Sequence, residues 1–348
     1  MGYFRDNIEK AVGYEPGLQP DRLDIVKLNT NENPWPPSPA VLEAVRNISP
    51  EQLRRYPQPR ANSFREAASQ VFKIAPENII CTNGGDELLS IAIRAFCDRD
   101  RPLAYPVPTY SLYPVLAELQ NCPTIEVPFD GEYNLPAKLA RTGAALTIVC
   151  NPNAPTGSFI SPNELASLAD EIKGVLLIDE AYVDFAEENC LGLVEKFENV
   201  IVLRTLSKGY SLAGIRFGFG FAHRRLIEGQ LKLKDSYNVD AVANAVAAAA
   251  IKDQVYFRNT VEKVKAERAR LTGLLRELGF DVPDSQANFL LTKCKGHDAL
   301  QVYEKLVKRG IYVRYFAQPG LKDKLRITIG TPEQNDKLIS ALKEILSQ

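Results

Sequence analysis

Short runs of apolar, mostly branched residues recur along the middle of the chain, and each is bounded by polar residues. This pattern is typical of strands that are buried on both faces of a parallel sheet. The most informative runs are LTIVC (146–150), GVLLIDEAY (174–182) and NVIVLRTLSK (199–208). Residues 161–174, between the first two runs, have a helical pattern with Ser161 as its cap and Glu164 completing a capping box. The alternation of strand and helix predicts a doubly wound α/β domain.

The pattern changes near residue 240. One stretch rich in alanine and one long amphipathic stretch predict helices at 241–251 and 255–278. The rest of the chain interleaves strand-like runs with helical ones: NFLLT (288–292), a helix near 298–309, IYVRYF (311–316), LRITIG (325–330) and a helix at 332–346. This order predicts a smaller α+β domain at the C-terminal end.

These patterns divide the chain into three parts. Its 348 residues, 45% of them hydrophobic, are enough to bury more than one core. Residues 1–39 are predicted to form an irregular N-terminal arm that ends in the turn-rich loop LNTNENPWPPSP (28–39). Residues 40–240 are predicted to form the large domain, and residues 241–348 the small one.

Charge and composition exclude several classes of function. The formal net charge is −1, so neither nucleic acid nor a membrane surface is an expected partner. No apolar stretch is long enough to span a bilayer, and the N-terminus is too charged for a signal peptide. The six scattered cysteines and two histidines argue against a metal site, and free cysteines fit a reducing, cytoplasmic compartment.

Chemically useful side chains follow the buried runs. In an open parallel sheet, ligands bind beyond the carboxyl ends of the strands. The second run ends with Asp179 and Tyr182, and the third ends with Ser207 and Lys208, with Arg216 shortly after them. If the strands are neighbours, a carboxylate, a phenol, a lysine and an arginine converge on one crevice.

This set of side chains suits pyridoxal 5′-phosphate (PLP). A lysine with a lowered pKa forms a Schiff base with this cofactor. An acidic partner such as Asp179 keeps the pyridine nitrogen protonated, so that the ring withdraws electrons from the substrate. Tyr182 can donate a hydrogen bond to the phenolate oxygen, while Arg216 and Ser207 are available to the phosphate.

Two further signals lie upstream. The sequence TNGGDE (82–87) leads into a predicted helix, and glycines at a helix start let backbone N–H groups approach an anion. Tyr110, in the loop PVPTYSLYPV (106–115), is able to stack on a planar cofactor. Each feature has an ordinary explanation when taken alone, since a lysine after a strand is usually exposed, Asp179 suits a helix cap and Tyr182 suits a core. Their order, each at a strand end or near a helix start, favours the cofactor site.

The motifs along the chain resemble those of the fold-type I PLP-dependent aminotransferases. The strongest is RTLSKGYSLAGIRFGF (204–219), which is similar to the lysine segment of that family. The others follow the family order: NENP (31–34), RYPQP (55–59), GGDE (84–87), PTY (108–110), DEAY (179–182) and LRITIG (325–330). Their combination in a short chain resembles the histidinol-phosphate aminotransferase branch. The resemblance spans almost the whole chain and implies a mostly parallel seven-stranded sheet flanked by helices, plus a smaller α+β C-terminal domain.

The resemblance also implies a role for each matching residue. Lys208 carries the cofactor and moves the substrate proton, assisted by Asp179 and Tyr182. The residues that hold the cofactor are Gly85, Asp86, Tyr110, Asp179, Tyr182, Ser207, Lys208, Arg216 and, from a partner subunit, Tyr56. The residues that contact the substrate are Tyr14, Arg314 and Arg326. A shared Tyr56 implies a homodimer with joint active sites, which acts on a small amino donor and a 2-oxo acid.

Three positions leave alternatives open. Ala154 replaces the asparagine of the family motif Asn-Pro-Thr-Gly, so one hydrogen bond to the phenolate oxygen is missing. Either Tyr182 serves that oxygen alone, or Asn153 or a water molecule compensates. Arg314 equally fits a charge on an edge strand that faces water, and Asn288 equally fits the start of a strand.

The expected activity is transfer of the amino group of L-histidinol phosphate to 2-oxoglutarate in histidine biosynthesis, giving imidazole acetol phosphate and L-glutamate. Three alternatives remain. An aromatic amino acid aminotransferase would use Arg326 for a carboxylate and leave Arg314 idle. A PLP-dependent threonine-phosphate decarboxylase would share the lysine, the aspartate and the arginines. A non-enzymatic binding module or regulator would share the fold, but the intact set of Lys208, Asp179 and Arg216 argues against it.

Overall fold

The computed structural model describes residues 2–20 and 24–347; Met1, residues 21–23 and Gln348, which fall in the predicted arm and small domain, lie outside the described residues. The strands are β1 (Val26–Lys27), β2 (Ile79–Thr82), β3 (Leu103–Val107), β4 (Thr124–Pro128), β5 (Leu146–Cys150), β6 (Val175–Asp179), β7 (Val200–Thr205), β8 (Gly218–Ala222), β9 (Phe280–Asp281), β10 (Phe289–Cys294), β11 (Ile311–Tyr312), β12 (Arg314–Tyr315) and β13 (Lys324–Thr328). The α-helices are α1 (Asp6–Lys10), α2 (Pro39–Arg46), α3 (Pro50–Arg54), α4 (Asn62–Phe72), α5 (Gly85–Phe96), α6 (Leu112–Gln120), α7 (Pro162–Glu171), α8 (Leu193–Lys196), α9 (Arg224–Leu231), α10 (Ala241–Lys252), α11 (Gln254–Glu277), α12 (Ala299–Lys308) and α13 (Pro332–Leu346). Short 3-10 helices lie at Pro76–Asn78, Ala137–Arg141, Val183–Phe185 and Ala213–Ile215.

The largest sheet has seven strands in the order β2-β8-β7-β6-β5-β3-β4. Strands β7, β6, β5, β3 and β4 run parallel to one another, whereas β8 is antiparallel to both of its neighbours. Every residue of β5 and β7 is buried, because the layers packed on the two faces of the sheet cover both. The predicted α/β architecture with a mostly parallel seven-stranded sheet is confirmed.

The helix ends follow the signals in the sequence. Helix α7 begins directly after Ser161, whose capping box with Glu164 is formed. A second capping box opens α13. Helix α5 begins at Gly85, and its cap Gly84 has a φ of +80°, a conformation that residues with a Cβ rarely adopt. The turn from β2 into α5 is therefore as tight as the glycine pair predicts.

Two parts of the strand pattern differ from the expectation. The run IYVRYF forms two short strands instead of one, because β11 pairs with β1 of the arm and β12 pairs with β13. The chain changes sheets at Val313. Its side chain is buried in a cluster that includes Leu290, Leu325 and Leu342 and is called the C-terminal core below. Strand β8 lies where the pattern predicts none, since Gly218 and Gly220 weaken a strand signal. A Cβ at Gly218 would lie 2.4 Å from the carbonyl carbon of Gly84, so the packing of β8 on the start of α5 requires glycine there.

The packing of α10 bears on the division into domains. Helix α10 packs on α2 and α4, and Ala243, Val246 and Ala247 belong to the core on one face of the large sheet. Val26 and Leu28 of the arm pack into the C-terminal core instead. The three-part division stays a prediction, and these contacts favour a boundary between α10 and α11 over one at residue 240.

Three findings concern the described residues as a whole. None of their helices combines the length and the apolar character that crossing a membrane requires. All six cysteines are buried and unpaired. Within the described ranges, no group of three or more His, Cys, Asp or Glu side chains is arranged to bind a metal ion.

Candidate active site

A cavity of about 260 Å³ opens at the carboxyl ends of β5, β6 and β7. Its position is the one expected for a ligand site in an open parallel sheet. All but one of the predicted site residues line it: Tyr14, Gly85, Asp86, Tyr110, Asp179, Tyr182, Ser207, Lys208, Arg216, Arg314 and Arg326. The fold therefore brings together residues that lie more than three hundred positions apart in the chain, such as Tyr14 and Arg326.

Lys208, which is half-buried, supplies the amine of this cavity. It follows β7, and its Nζ donates a hydrogen bond to the carbonyl oxygen of Thr30 over 3.1 Å. The ring of Tyr182 lies 5.6 Å from the same nitrogen. Burial lowers the pKa of Lys208 to about 8, and the positive charge of Arg326 acts in the same direction. An amine with this pKa is partly uncharged near neutral pH, which a nucleophile or a proton acceptor requires.

Asp179 ends β6 and is almost fully buried. One carboxylate oxygen accepts a hydrogen bond from the hydroxyl of Tyr113 over 2.7 Å, and the other accepts from the N–H of Ala181 over 3.1 Å. Burial raises the pKa of Asp179 to about 6, although both hydrogen bonds oppose this shift. Tyr113, in the first turn of α6, was not predicted as a site residue; it lies three positions after Tyr110, and their ring centres are 5.6 Å apart.

The start of α5 forms a second wall. A Cβ at Gly84 would lie 2.7 Å from Nη2 of Arg216, so the guanidinium packs directly on this glycine. The same Nη2 lies 3.4 Å from a carboxylate oxygen of Asp86. The hydroxyl of Ser207 lies 3.0 Å from that of Thr205 at the end of β7. The N–H groups in the first turn of a helix have no partners within it, so the arginine and the helix start together suit a phosphate group.

Aromatic rings from two segments meet in the cavity. The hydroxyl of Tyr110 donates to a carboxylate oxygen of Asp86 over 3.3 Å. The Tyr110 ring makes edge contacts with Tyr14 of the arm, at 5.9 Å between ring centres, and with Tyr113, at 5.6 Å. Tyr110 therefore presents a fixed ring to the cavity, as a stacking role requires.

Two arginines lie side by side at the other end of the cavity. Arg314 and Arg326 are directly opposite residues in the antiparallel pair of β12 and β13, which places both on one face. Arg326 donates to the carbonyl oxygen of Asn29 over 2.9 Å, and its guanidinium lies 5.2 Å from the ring centre of Phe289. Arg314 reaches the carbonyl oxygen of Pro16 in the arm, 3.4 Å away. The pair suits an anionic substrate group such as a carboxylate or a phosphate.

Two residues with predicted or suggested roles do not line the cavity. Tyr56 is 82% exposed and stacks on Tyr237, with 4.6 Å between ring centres. Asn288 is fully buried beside the cavity wall, where its side chain donates to the carbonyl oxygen of Asn31 over 3.0 Å. In this chain, Tyr56 is therefore available to another molecule, and Asn288 supports the loop of the NENP motif.

The comparisons with known proteins agree with this geometry. The family model for aminotransferase class I and II matches residues 23–342. A histidinol-phosphate aminotransferase 1 of Trichormus variabilis is 52% identical over 99% of both chains. A histidinol-phosphate aminotransferase of Microcystis aeruginosa is 42% identical over 98% of both.

A solved structure has the same fold. The histidinol-phosphate aminotransferase from Sinorhizobium meliloti, crystallised in complex with pyridoxal-5′-phosphate, superposes with a TM-score of 0.90 and 25% sequence identity. The match covers 100% of this chain and 98% of that one. The resemblance that the motifs carry is thus confirmed over the full length, and the chain belongs to the aminotransferase class I and II family.

Proposed function

We propose that the chain is a PLP-dependent aminotransferase that moves the amino group of L-histidinol phosphate to 2-oxoglutarate, giving imidazole acetol phosphate and L-glutamate in histidine biosynthesis. The observation that carries the proposal is the meeting of the half-buried Lys208 with the buried Asp179 in a cavity that also holds paired arginines, where neither Lys208 nor Asp179 has an ion-pair partner among the described residues. The names and full-length identity of the relatives support the substrate.

The residues in the cavity fit PLP. A half-buried amine and a buried carboxylate are available for its aldehyde and its pyridine nitrogen, and the start of α5 with Arg216 and Ser207 is available for its phosphate. Tyr110 would stack on the ring, and Asp86 would orient Arg216, with which it already makes a long ion pair. When bound, the cofactor supplies an electron sink for the bond that breaks at the substrate carbon.

The protein's own contribution centres on proton transfer and orientation. Lys208 would accept the proton from the substrate α-carbon and then donate it to C4′ of the cofactor. Its lowered pKa suits this general acid–base role. Arg326 and Arg314, with Tyr14 beside them, would bind the substrate phosphate, and Arg326 would bind the carboxylate of the 2-oxo acid. One anion site would then serve both halves of the reaction.

Assembly and compartment belong to the same proposal. We infer a homodimer in which Tyr56 of each subunit reaches the cavity of the other, because Tyr56 is exposed and lies outside its own cavity. The six unpaired cysteines favour a reducing compartment, namely the cytoplasm.

The test is a stopped-flow absorbance titration of the PLP-loaded protein with L-histidinol phosphate, phenylalanine and threonine phosphate. We expect the cofactor band to convert most rapidly with histidinol phosphate. In Arg314→Ala, the conversion should weaken far more for histidinol phosphate than for phenylalanine, since only the former has a phosphate for this arginine to bind.

Other outcomes would contradict the proposal in distinct ways. Fastest conversion by phenylalanine would assign an aromatic aminotransferase. Release of carbon dioxide from threonine phosphate, with return of the original band, would assign a decarboxylase. Equal losses on both substrates in Arg314→Ala would remove the selectivity role of Arg314 and leave the reaction class intact.

A further inference from the structure

Asn31, the first residue of the NENP motif, is held by hydrogen bonds on all sides. It is 1% exposed and has a φ of +58°, a left-handed conformation that asparagine tolerates better than most residues. Its N–H donates to the hydroxyl oxygen of Thr328 over 3.0 Å, and its carbonyl oxygen accepts from Asn288 over 3.0 Å. The position of this loop is therefore set by the C-terminal domain.

The contacts of Thr328 decide which way the Asn31 amide points. The buried Thr328 hydroxyl accepts from the backbone of Asn31, and its own proton goes to Oδ1 of the same residue over 3.0 Å. Nδ2 of Asn31 is thereby turned towards the hydroxyl of Tyr182, to which it donates over 3.0 Å. The opposite orientation of the amide would leave the Thr328 proton without this acceptor.

The direction of this bond fixes the role of the Tyr182 hydroxyl. A phenol that accepts from an amide keeps its own proton for another acceptor. Within the described residues, the structure gives the Tyr182 hydroxyl no further hydrogen bond. Tyr182 lines the cavity beside Lys208, so its proton is available to an acceptor that enters the cavity.

Neither Ala154 nor Asn153 shares this task. Ala154, which stands at the place of the family asparagine, lines the cavity and has no donor. The side chain of Asn153 is fully used by the surrounding loop: it donates to the carbonyl oxygen of Pro108 and to the hydroxyl of Thr156, and it accepts from Thr109. Of the two protein alternatives that Ala154 leaves open, the structure favours Tyr182 acting alone.

We propose that Asn31 is a positioning residue, whose amide turns the Tyr182 hydroxyl so that its proton points into the cavity and serves the phenolate oxygen of the cofactor in place of the missing asparagine. This inference rests on the proposed function, because PLP supplies the acceptor. Asn31 also lines the cavity, but the role proposed for it acts through its hydrogen bond to Tyr182.

The test is a pH titration of the visible absorbance of the PLP-loaded protein, in wild type, Asn31→Gly, Tyr182→Phe and the double variant. Glycine accepts the positive φ and removes the amide without adding charge. A hydrogen bond donated to the phenolate oxygen weakens the attraction between that oxygen and the titrating proton beside it. Asn31→Gly removes the amide that directs the Tyr182 proton to this oxygen. The titration midpoint should therefore rise by about one pH unit, as expected for a hydrogen bond to a charged oxygen. Tyr182→Phe should raise it at least as much, and Asn31→Gly should add nothing in the Tyr182→Phe background.

A second variant keeps the test decisive if glycine disturbs the loop. Asn31→Asp retains the shape of the side chain and its contact with Thr328, but it replaces the donor to Tyr182 by an acceptor. The same substitution in the Tyr182→Phe background measures the direct effect of the added charge on the titration midpoint. That effect is subtracted from the shift measured with Tyr182 present. Additive shifts in either cycle, or a wild-type midpoint equal to that of Tyr182→Phe, would overturn the inference alone. A wild-type protein with no Lys208-dependent band would overturn the proposed function as well.

Discussion

Asp179 and Glu180 are consecutive buried carboxylates, yet they lie in two different environments on opposite sides of the large sheet. Asp179 faces the cavity, where a neutral hydroxyl and one N–H are its partners. Glu180 faces the other side, where Nε and Nη2 of Arg204 lie 2.9 and 2.8 Å from one of its oxygens and the N–H of Cys190 donates to the other. The guanidinium also packs over the ring of Phe72.

The difference distinguishes a buried charge that is paired within the protein from buried groups that are left for a ligand to pair with. Arg204 and Glu180 neutralise each other's charge inside the protein, so neither of the two needs a ligand as a counter-charge. Asp179 is buried and Lys208 half-buried, each with an unfavourable charge, and the pKa of each is shifted towards its neutral form by that burial. Such groups lower stability until a ligand satisfies them, which is why they mark the candidate site.

The largest effect is expected on the cavity side, from Lys208→Ala. Turnover should fall by about 10⁴-fold or more, because both the amine that holds the cofactor and the proton carrier are lost. The free energy of unfolding of the cofactor-free variant should stay equal or rise, since an unpaired, half-buried amine is removed. Steady-state turnover and urea unfolding measure the two effects, with Lys343→Ala, at an exposed position on α13, as the control. Ordinary turnover in Lys208→Ala would refute the central assignment.

The opposite side should respond in stability instead. Arg204→Met leaves Glu180 buried without a counter-charge, which should lower the free energy of unfolding by about 3–5 kcal/mol. The double variant Arg204→Met/Glu180→Gln should recover much of this loss. The matched control is Arg224→Met, which breaks the exposed pair with Glu228 and should leave the free energy of unfolding almost unchanged, because solvent screens that pair. Equal losses in Arg204→Met and Arg224→Met would mean that the buried pair is not a structural element.

Much of this division could be predicted from local sequence. The strands β5, β6 and β7 are recognisable because they are apolar throughout, and the side chains at their carboxyl ends then converge by the geometry of a parallel sheet. The capping box of α7 is likewise a local signal. Once β6 and β7 are taken as parallel neighbours, Asp179 and Lys208 are expected to lie close together, although their roles stay predictions.

The remaining features depend on contacts between distant residues. The bond from Tyr113 to Asp179 joins residues 66 positions apart, and the bond from Asn31 to Tyr182 joins residues 151 apart. Strand β8 cannot be recognised from the sequence, because its glycines allow close packing but do not favour a strand. The split of IYVRYF depends on which strands are available as partners, and that is a property of the tertiary fold.

The smallest effect concerns the cost of burying the Asp179 carboxylate. Burial raises the pKa of Asp179 from its ordinary value near 3.8 to about 6, so the folded protein binds a proton more tightly than the unfolded chain does. The stability that Asp179 contributes is thus present at low pH and is lost as the pH rises through 6. Asp179→Asn cannot ionise, so the cofactor-free variant should be more stable than wild type by about 3 kcal/mol at pH 8, with little difference at pH 4.

Urea unfolding of the two cofactor-free proteins at both pH values measures this prediction. The carboxamide can still accept from Ala181 and can donate to the Tyr113 hydroxyl, so the packing around it is retained. Turnover should fall at the same time, because an amide cannot keep the pyridine nitrogen protonated. Glu180→Gln is the matched control from the other side of the sheet, and it should destabilise the protein at pH 8 because it takes the counter-charge from Arg204. If Asp179→Asn also loses stability at pH 8, the charge of Asp179 stabilises the protein as the charge of Glu180 does. The proposed contrast between an unpaired carboxylate on the cavity side and a paired one on the other side is then wrong.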